Sequence, residues 1–156
     1  ALEYVVETAA TLGASAQFQP ATAHLFAGEE INVIAPLQAQ MRAAVDRLLA
    51  LRGAGKPVAN SESCLRHLRP WPELGWLSCA GGRLFCAIDP AGYVRRCNEM
   101  RAVSWRNNIR AAGFAAAFRQ VETVAGCRRC DCASVVEMNL AFSLNPKAIQ
   151  SIARSL

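Results

Sequence analysis

The chain has 156 residues, 53% of them apolar and 19% charged, with a formal charge of +5. That is ordinary globular composition for one compact unit or two small ones. No apolar run reaches the about 18–20 residues that cross a bilayer. The N-terminal stretch, interrupted by Glu3 and Glu7, lacks the basic and apolar regions of a signal peptide. The expectation is therefore a protein of the cytoplasm with no membrane partner. Arginine carries nearly all of the positive charge, Lys56 and Lys147 being the only lysines. These arginines are scattered and accompanied by no aromatic platform, which argues against nucleic acid as a partner.

In chain order, Leu2, Val5, Val6 and Leu12 have helical spacing that ends at Gly13. Ala14 to Pro20 reads as a short buried strand, and 21–35 as irregular. Leu37, Met41, Ala44, Val45, Leu48, Leu49 and Leu51 predict a helix from Pro36 to Arg52, stopped by Gly53 and Gly55. Lys56 to Asn60 reads as a second strand, and Ser61 opens a brief helix that Pro70 ends. This alternation predicts parallel βα units, as in a slice of a barrel or doubly wound sheet.

A Pro/Trp-rich linker, 69–77, leads to a hairpin signal. Leu84–Ile88 and Tyr93–Arg96 flank Asp89-Pro90-Ala91-Gly92, a sequence suited to a type I turn. Pairing outward from Ile88 opposite Tyr93 sets Cys97 opposite Leu84 and puts Cys86 on the face of Cys97. Ala111 to Val124 reads as one helix. Asn145-Pro146 marks the start of a last helix, with Asn as the cap and Pro in the first turn.

The chain has seven cysteines, six of them beyond residue 78. An odd count without a secretory signal points to metal or redox chemistry rather than a disulfide framework. Cys127 and Cys130 form a C-x2-C pair, whose thiolates can reach one metal centre. Cys79 and Cys97 bracket the hairpin as C-x12-G-x4-C, with Gly92 as the glycine. Gly81 and Gly82 give the chain freedom to fold Cys79 back toward Cys97. A zinc ribbon normally offers two tight C-x2-C knuckles, so a pair spread over a hairpin favours the larger [4Fe–4S] cube. The Arg residues at 95, 96, 128 and 129 either temper the charge of such a site or are solvated. Cys64 reads as packing, and Cys86 as a small buried residue kept as a reserve ligand.

The combination of C-x12-G-x4-C, a helix and C-x2-C resembles the "twitch" module, the shortened relative of the SPASM domain in radical S-adenosylmethionine (SAM) enzymes. CAGGRLFCAIDPAGYVRRC is similar to that family's hairpin, as are Asn108-Ile109 and the helix with Phe114 and Phe118. The resemblance covers roughly 79–132, and residues 1–75 look like the last βα units of the partial barrel that precedes such a module. It implies an α/β fold in two parts: barrel units over 1–75, and an auxiliary-cluster module with a C-terminal helix over 76–156.

By position, the resemblance makes Cys79, Cys97, Cys127 and Cys130 ligands of one auxiliary [4Fe–4S] cluster. Cys132 leaves open which cysteine closes the site. SAM and a second [4Fe–4S] cluster would belong to the complete enzyme, because the C-x3-C-x2-C loop is absent from these residues and this chain alone should not cleave SAM. Implied partners are an N-terminal radical SAM half, a substrate, and an electron donor such as flavodoxin or ferredoxin. Gln19, Asn60 and Ser61, at strand ends, are candidates for contact with SAM or substrate, or for ordinary capping. His24 lies near the same end, and His67 reads as solvent-facing. Glu137 and Asn139 follow the cysteine motif with no role assigned. The rival readings are a structural zinc module and a non-catalytic interaction protein.

Overall fold

A computed structural model describes residues 1–21, 24–25, 30–31, 36–98, 105–121 and 129–153. The chain is mixed α/β and divides into two compact units, the first formed by Ala1–Leu77 with Arg129–Leu156 and the second by Ser78–Arg128. Among the described residues no helix is long and apolar enough to cross a membrane.

In the first unit, α1 (Leu2–Thr11) buries Val6 and ends before Gly13, which takes φ 65°. The two expected strands are adjacent and parallel, but the ladder is a single bridge, Ala16 to Val58. Ala16 N–H donates to Pro57 (2.8 Å), and Ala59 N–H donates to Ala16 (2.8 Å). The connection between them carries α2 (Gln38–Gly53), so this is a parallel βαβ arrangement. Leu37 N–H is satisfied by the Gln40 side chain (2.9 Å) at the start of α2, and Met41, Val45 and Leu48 form its buried stripe. The segment read as irregular contains β1 (His24–Leu25) and β2 (Glu30–Ile31), paired antiparallel. Strands of two residues are too short for alternation to mark them.

Ser61 caps α3 (Glu62–Leu68), its hydroxyl accepting from Cys64 N–H at 3.0 Å. The last two helices also belong to this unit. α6 (Ala133–Phe142) contributes Ala133 and Val136 to the core around Val45, Leu65 and Leu68. α7 (Pro146–Ala153) starts as expected, with the Asn145 carboxamide accepting from Ala148 N–H (3.2 Å). α6 was not legible as a helix, because Ala, Val, Met, Leu and Phe surround it on nearly every side and leave no polar stripe.

The second unit centres on the hairpin of β3 (Ala87–Ile88) and β4 (Val94–Arg95). Its register corrects the expected one: Ile88 pairs with Val94, not Tyr93, and Ala87 pairs with Arg95. Gly92 N–H closes the turn on Asp89 (2.9 Å), Asp89 N–H bonds Tyr93 (3.1 Å), and Gly92 takes φ 90°. This is a type I turn with a glycine bulge, which adds one residue to the loop and slips the register by one. Cys86 consequently shares the face of Val94, with which it packs, rather than that of Cys97.

The helix expected over Ala111 to Val124 is two helices, α4 (Ile109–Ala112) and α5 (Phe114–Arg119). Gly113 separates them at φ 75°; residues 122–124 lie outside the described residues. A 3-10 turn, Trp105–Asn107, precedes α4. Among the described residues, the core of this unit has Val94, Ala117 and Val121 buried, with Cys86, Ile109 and Phe118 packed around them.

Candidate metal centre and strand-end site

Cys79 is half-buried and Cys97 is buried, and neither is in a disulfide. What joins their neighbourhoods is Gly81. A Cβ on Gly81 would lie 2.9 Å from the Arg96 carbonyl oxygen, 3.1 Å from Arg96 Cγ and 3.4 Å from Cys79 Sγ. Only a residue without a side chain lets the strand leading to Cys97 approach the Cys79 segment this closely. A tight turn holds the approach, with Leu84 N–H donating to Ala80 (2.9 Å) and Gly82 N–H to Phe85 (2.8 Å). Arg96 itself is buried.

The far end of the hairpin is held by polar bonds. Asp89 accepts from Tyr93 N–H (2.9 Å) and from Arg95 (3.0 Å). The Tyr93 bond first, and the Arg95 guanidinium with it, holds the Asp89 carboxyl below its usual range. Arg95 thus spends its charge on the turn. Asn108 donates to Ala91 (3.1 Å) while its oxygen accepts from Arg110 N–H, and Ile109 N–H bonds Gly92 (2.9 Å). A Cβ on Gly92 would therefore meet Asn108 and Ile109 at 3.3 Å, on top of its positive φ.

Cys127 and Arg128 lie outside the described residues. Arg129 is exposed, and Cys130 is half-buried in the first unit. Among the described residues, no three His, Cys, Asp or Glu side chains are grouped as a metal site.

In the first unit, the segment Cys130-Asp131-Cys132 is fastened to the carboxyl ends of the two parallel strands. The Gln19 carboxamide spans it, donating to Asp131 O (3.1 Å) and accepting from Ala133 N–H (2.5 Å). His67 Nε2 meets the Cys130 carbonyl at 2.9 Å. A carbonyl only accepts, so this nitrogen carries the proton. Asn60 is fully buried and continues the ladder with its side chain, accepting from Phe18 N–H (2.7 Å) and donating to Phe18 O (2.9 Å). Ser61 N–H donates to Glu137 Oε1 at 2.5 Å.

Cys64 is buried beside Glu137, with its thiol 3.7 Å from Ala133 O. Burial first, and then the Glu137 carboxylate, pushes this thiol far above its usual range, so it stays protonated and unreactive. Cys132 is buried, its sulfur 3.3 Å from Ser134 Oγ. Gln19, Asn60 and Ser61 are thus brought to one end of the strand pair, where each already bonds protein groups. For His24 only the backbone is described.

Glu137 and His67 are the contributors that sequence reasoning left without a part. Their partners lie 76 and 63 residues away, and no local pattern announces such a pair. Comparison with protein-family models, curated proteins and solved structures finds no match to this chain.

Proposed function

We propose that this chain is the C-terminal part of a radical SAM enzyme and binds one auxiliary [4Fe–4S] cluster. Its ligands would be Cys79, Cys97, Cys127 and Cys130, with Cys132 and Cys86 in reserve. The observation that carries the reading is in Ser78–Arg128. Among the described residues, the core cluster of that unit buries Val94, Ala117 and Val121, yet the Cys79 segment is folded back against the Arg96 backbone at Gly81. A unit this small, with so little apolar burial, needs a staple such as a metal. Cys79 and Cys97, neither of them in a disulfide, are suitable donors for one.

When bound, the cluster would supply a one-electron acceptor for the substrate radical or an anchor for the substrate. This chain's residues would set its surroundings. Arg96 offers positive charge, the Gly81 approach positions Cys79, and the Asp89–Arg95 pair fixes the distal turn. Gln19 and His67 hold the backbone of the Cys130–Cys132 segment. SAM cleavage would belong to a preceding radical SAM half, with flavodoxin or ferredoxin as a suitable electron donor.

The test is iron, sulfide and zinc content with a visible spectrum, after anaerobic reconstitution, for the wild type and Cys97→Ala. About four irons and four sulfides per chain are expected, with a broad band near 400 nm, at roughly that wavelength, that weakens in the variant. About one zinc and no colour would replace the cluster by a structural metal.

A further inference from the structure

The opposite end of the same strand pair carries a second feature. A cleft of about 270 Å³ opens where the strands begin, lined by Ser15, Arg52, Lys56, Pro57, Val58 and Ser151 among others. We propose that this cleft binds a phosphate-class oxyanion, either free or as the head group of a small phosphate monoester.

Charge is the first argument. Among the described residues no acidic side chain lines the cleft. Three other arginines of this unit, Arg47, Arg66 and Arg69, are paired with Glu3, Glu62 and Asp46, and Lys147 is paired with Glu62. Arg52 and Lys56 have no carboxylate partner among the described residues. Two cations facing a cleft whose described lining holds no acid attract an anion.

Preorganisation is the second. Arg52 is held in place by two neutral acceptors, Val58 O (2.7 Å) and Ser151 Oγ (3.4 Å). Ser151 is itself buried and donates to Ala59 O (3.0 Å). The guanidinium is therefore fixed without being neutralised, and keeps donors for a ligand. The negative end of α2 does not oppose this. Ala50, Leu51 and Arg52 carbonyls already accept from Ala54, Lys56 and Gly55 N–H. The exposed Ser15 hydroxyl adds a donor at the rim. The volume exceeds that of a bare phosphate and suits a small molecule bearing one.

The test is an NMR titration of the full chain at constant ionic strength, with sodium phosphate, glycerol 3-phosphate and sodium acetate as separate probes. Saturable millimolar shifts are expected at Arg52, Lys56 and Ser151 with the two phosphates, and much weaker ones with acetate. Tighter binding of glycerol 3-phosphate assigns the site to a monoester, and equal binding assigns it to free phosphate; both outcomes support the proposal. Lys56→Gln, at an exposed position whose side chain makes no hydrogen bond or ion pair among the described residues, is expected to weaken binding about fivefold, the upper range for an exposed ion pair. Arg52→Gln removes the fixed cation and is expected to abolish saturation, with folding checked by thermal melting. Linear shifts shared with Arg42 and Arg119, equal binding of acetate, or no effect of Lys56→Gln would overturn the proposal.

Discussion

Among the described residues, the first unit buries fourteen apolar residues in one cluster, from Val6 on α1 to Val136 on α6, whereas the cluster of the second unit buries three. The first has an interior that can hold its own strands and helices by removing apolar surface from water, at about 1.5–3 kcal/mol for each large side chain. The second is held by turn chemistry: a capped Asp89 loop, an Asn108 clamp, and close approaches at Gly81 and Gly92. Polar bonds of this kind fix geometry well, but each nets only about 1 kcal/mol, because water competes for both partners. A region built that way gains most from a staple such as a metal.

The largest effect expected from this contrast is on metal occupancy. In iron-free protein, amide exchange in Val94 and Ala117 should be at least tenfold faster than after reconstitution, while Val45 and Leu65 should be unchanged. Equal protection in both states would mean that the second unit needs no staple. Next comes the core itself. Leu65→Ala should cost about 2–5 kcal/mol in urea unfolding. Val94→Ala should cost about 1–3 kcal/mol and act mainly on the second unit, as site-resolved exchange would show. If Val94→Ala lowers protection throughout the chain, the two units unfold as one and the contrast fails.

Glycine sharpens the comparison at smaller scale. Gly55 and Gly92 both have positive φ, but nothing lies within 4 Å of a Cβ on Gly55, whereas Asn108 and Ile109 crowd Gly92. Gly55→Ala should cost about 1 kcal/mol, and Gly92→Ala about 2–3 kcal/mol, by thermal melting. The smallest effect is electrostatic. The Asp89 carboxyl titrates below its unfolded value, so its stabilisation is present above about pH 4 and fades as pH falls through the lower folded value. Asp89→Asn should destabilise the hairpin at neutral pH, and its difference from wild type should vanish in acid. A constant difference from pH 7 to about pH 2 would assign the effect to geometry rather than charge.

Local patterns in the chain determined α1, α2, the Ser61-capped α3 and the Asn145-capped α7, because apolar spacing and caps act within a few residues. They also determined the pairing of two strands across α2, the hairpin turn and the clustering of cysteine late in the chain. Only the tertiary structure decided the rest. The Gly92 bulge slipped the hairpin by one residue and turned Cys86 away from the face of Cys97. A mostly apolar α6 found its place against α3 because it could be buried there. Gln19, Asn60 and Glu137 took partners 114, 42 and 76 residues away. Such bonds form when folding removes water from groups that only then meet. Periodicity describes one element at a time, so it carries no record of them.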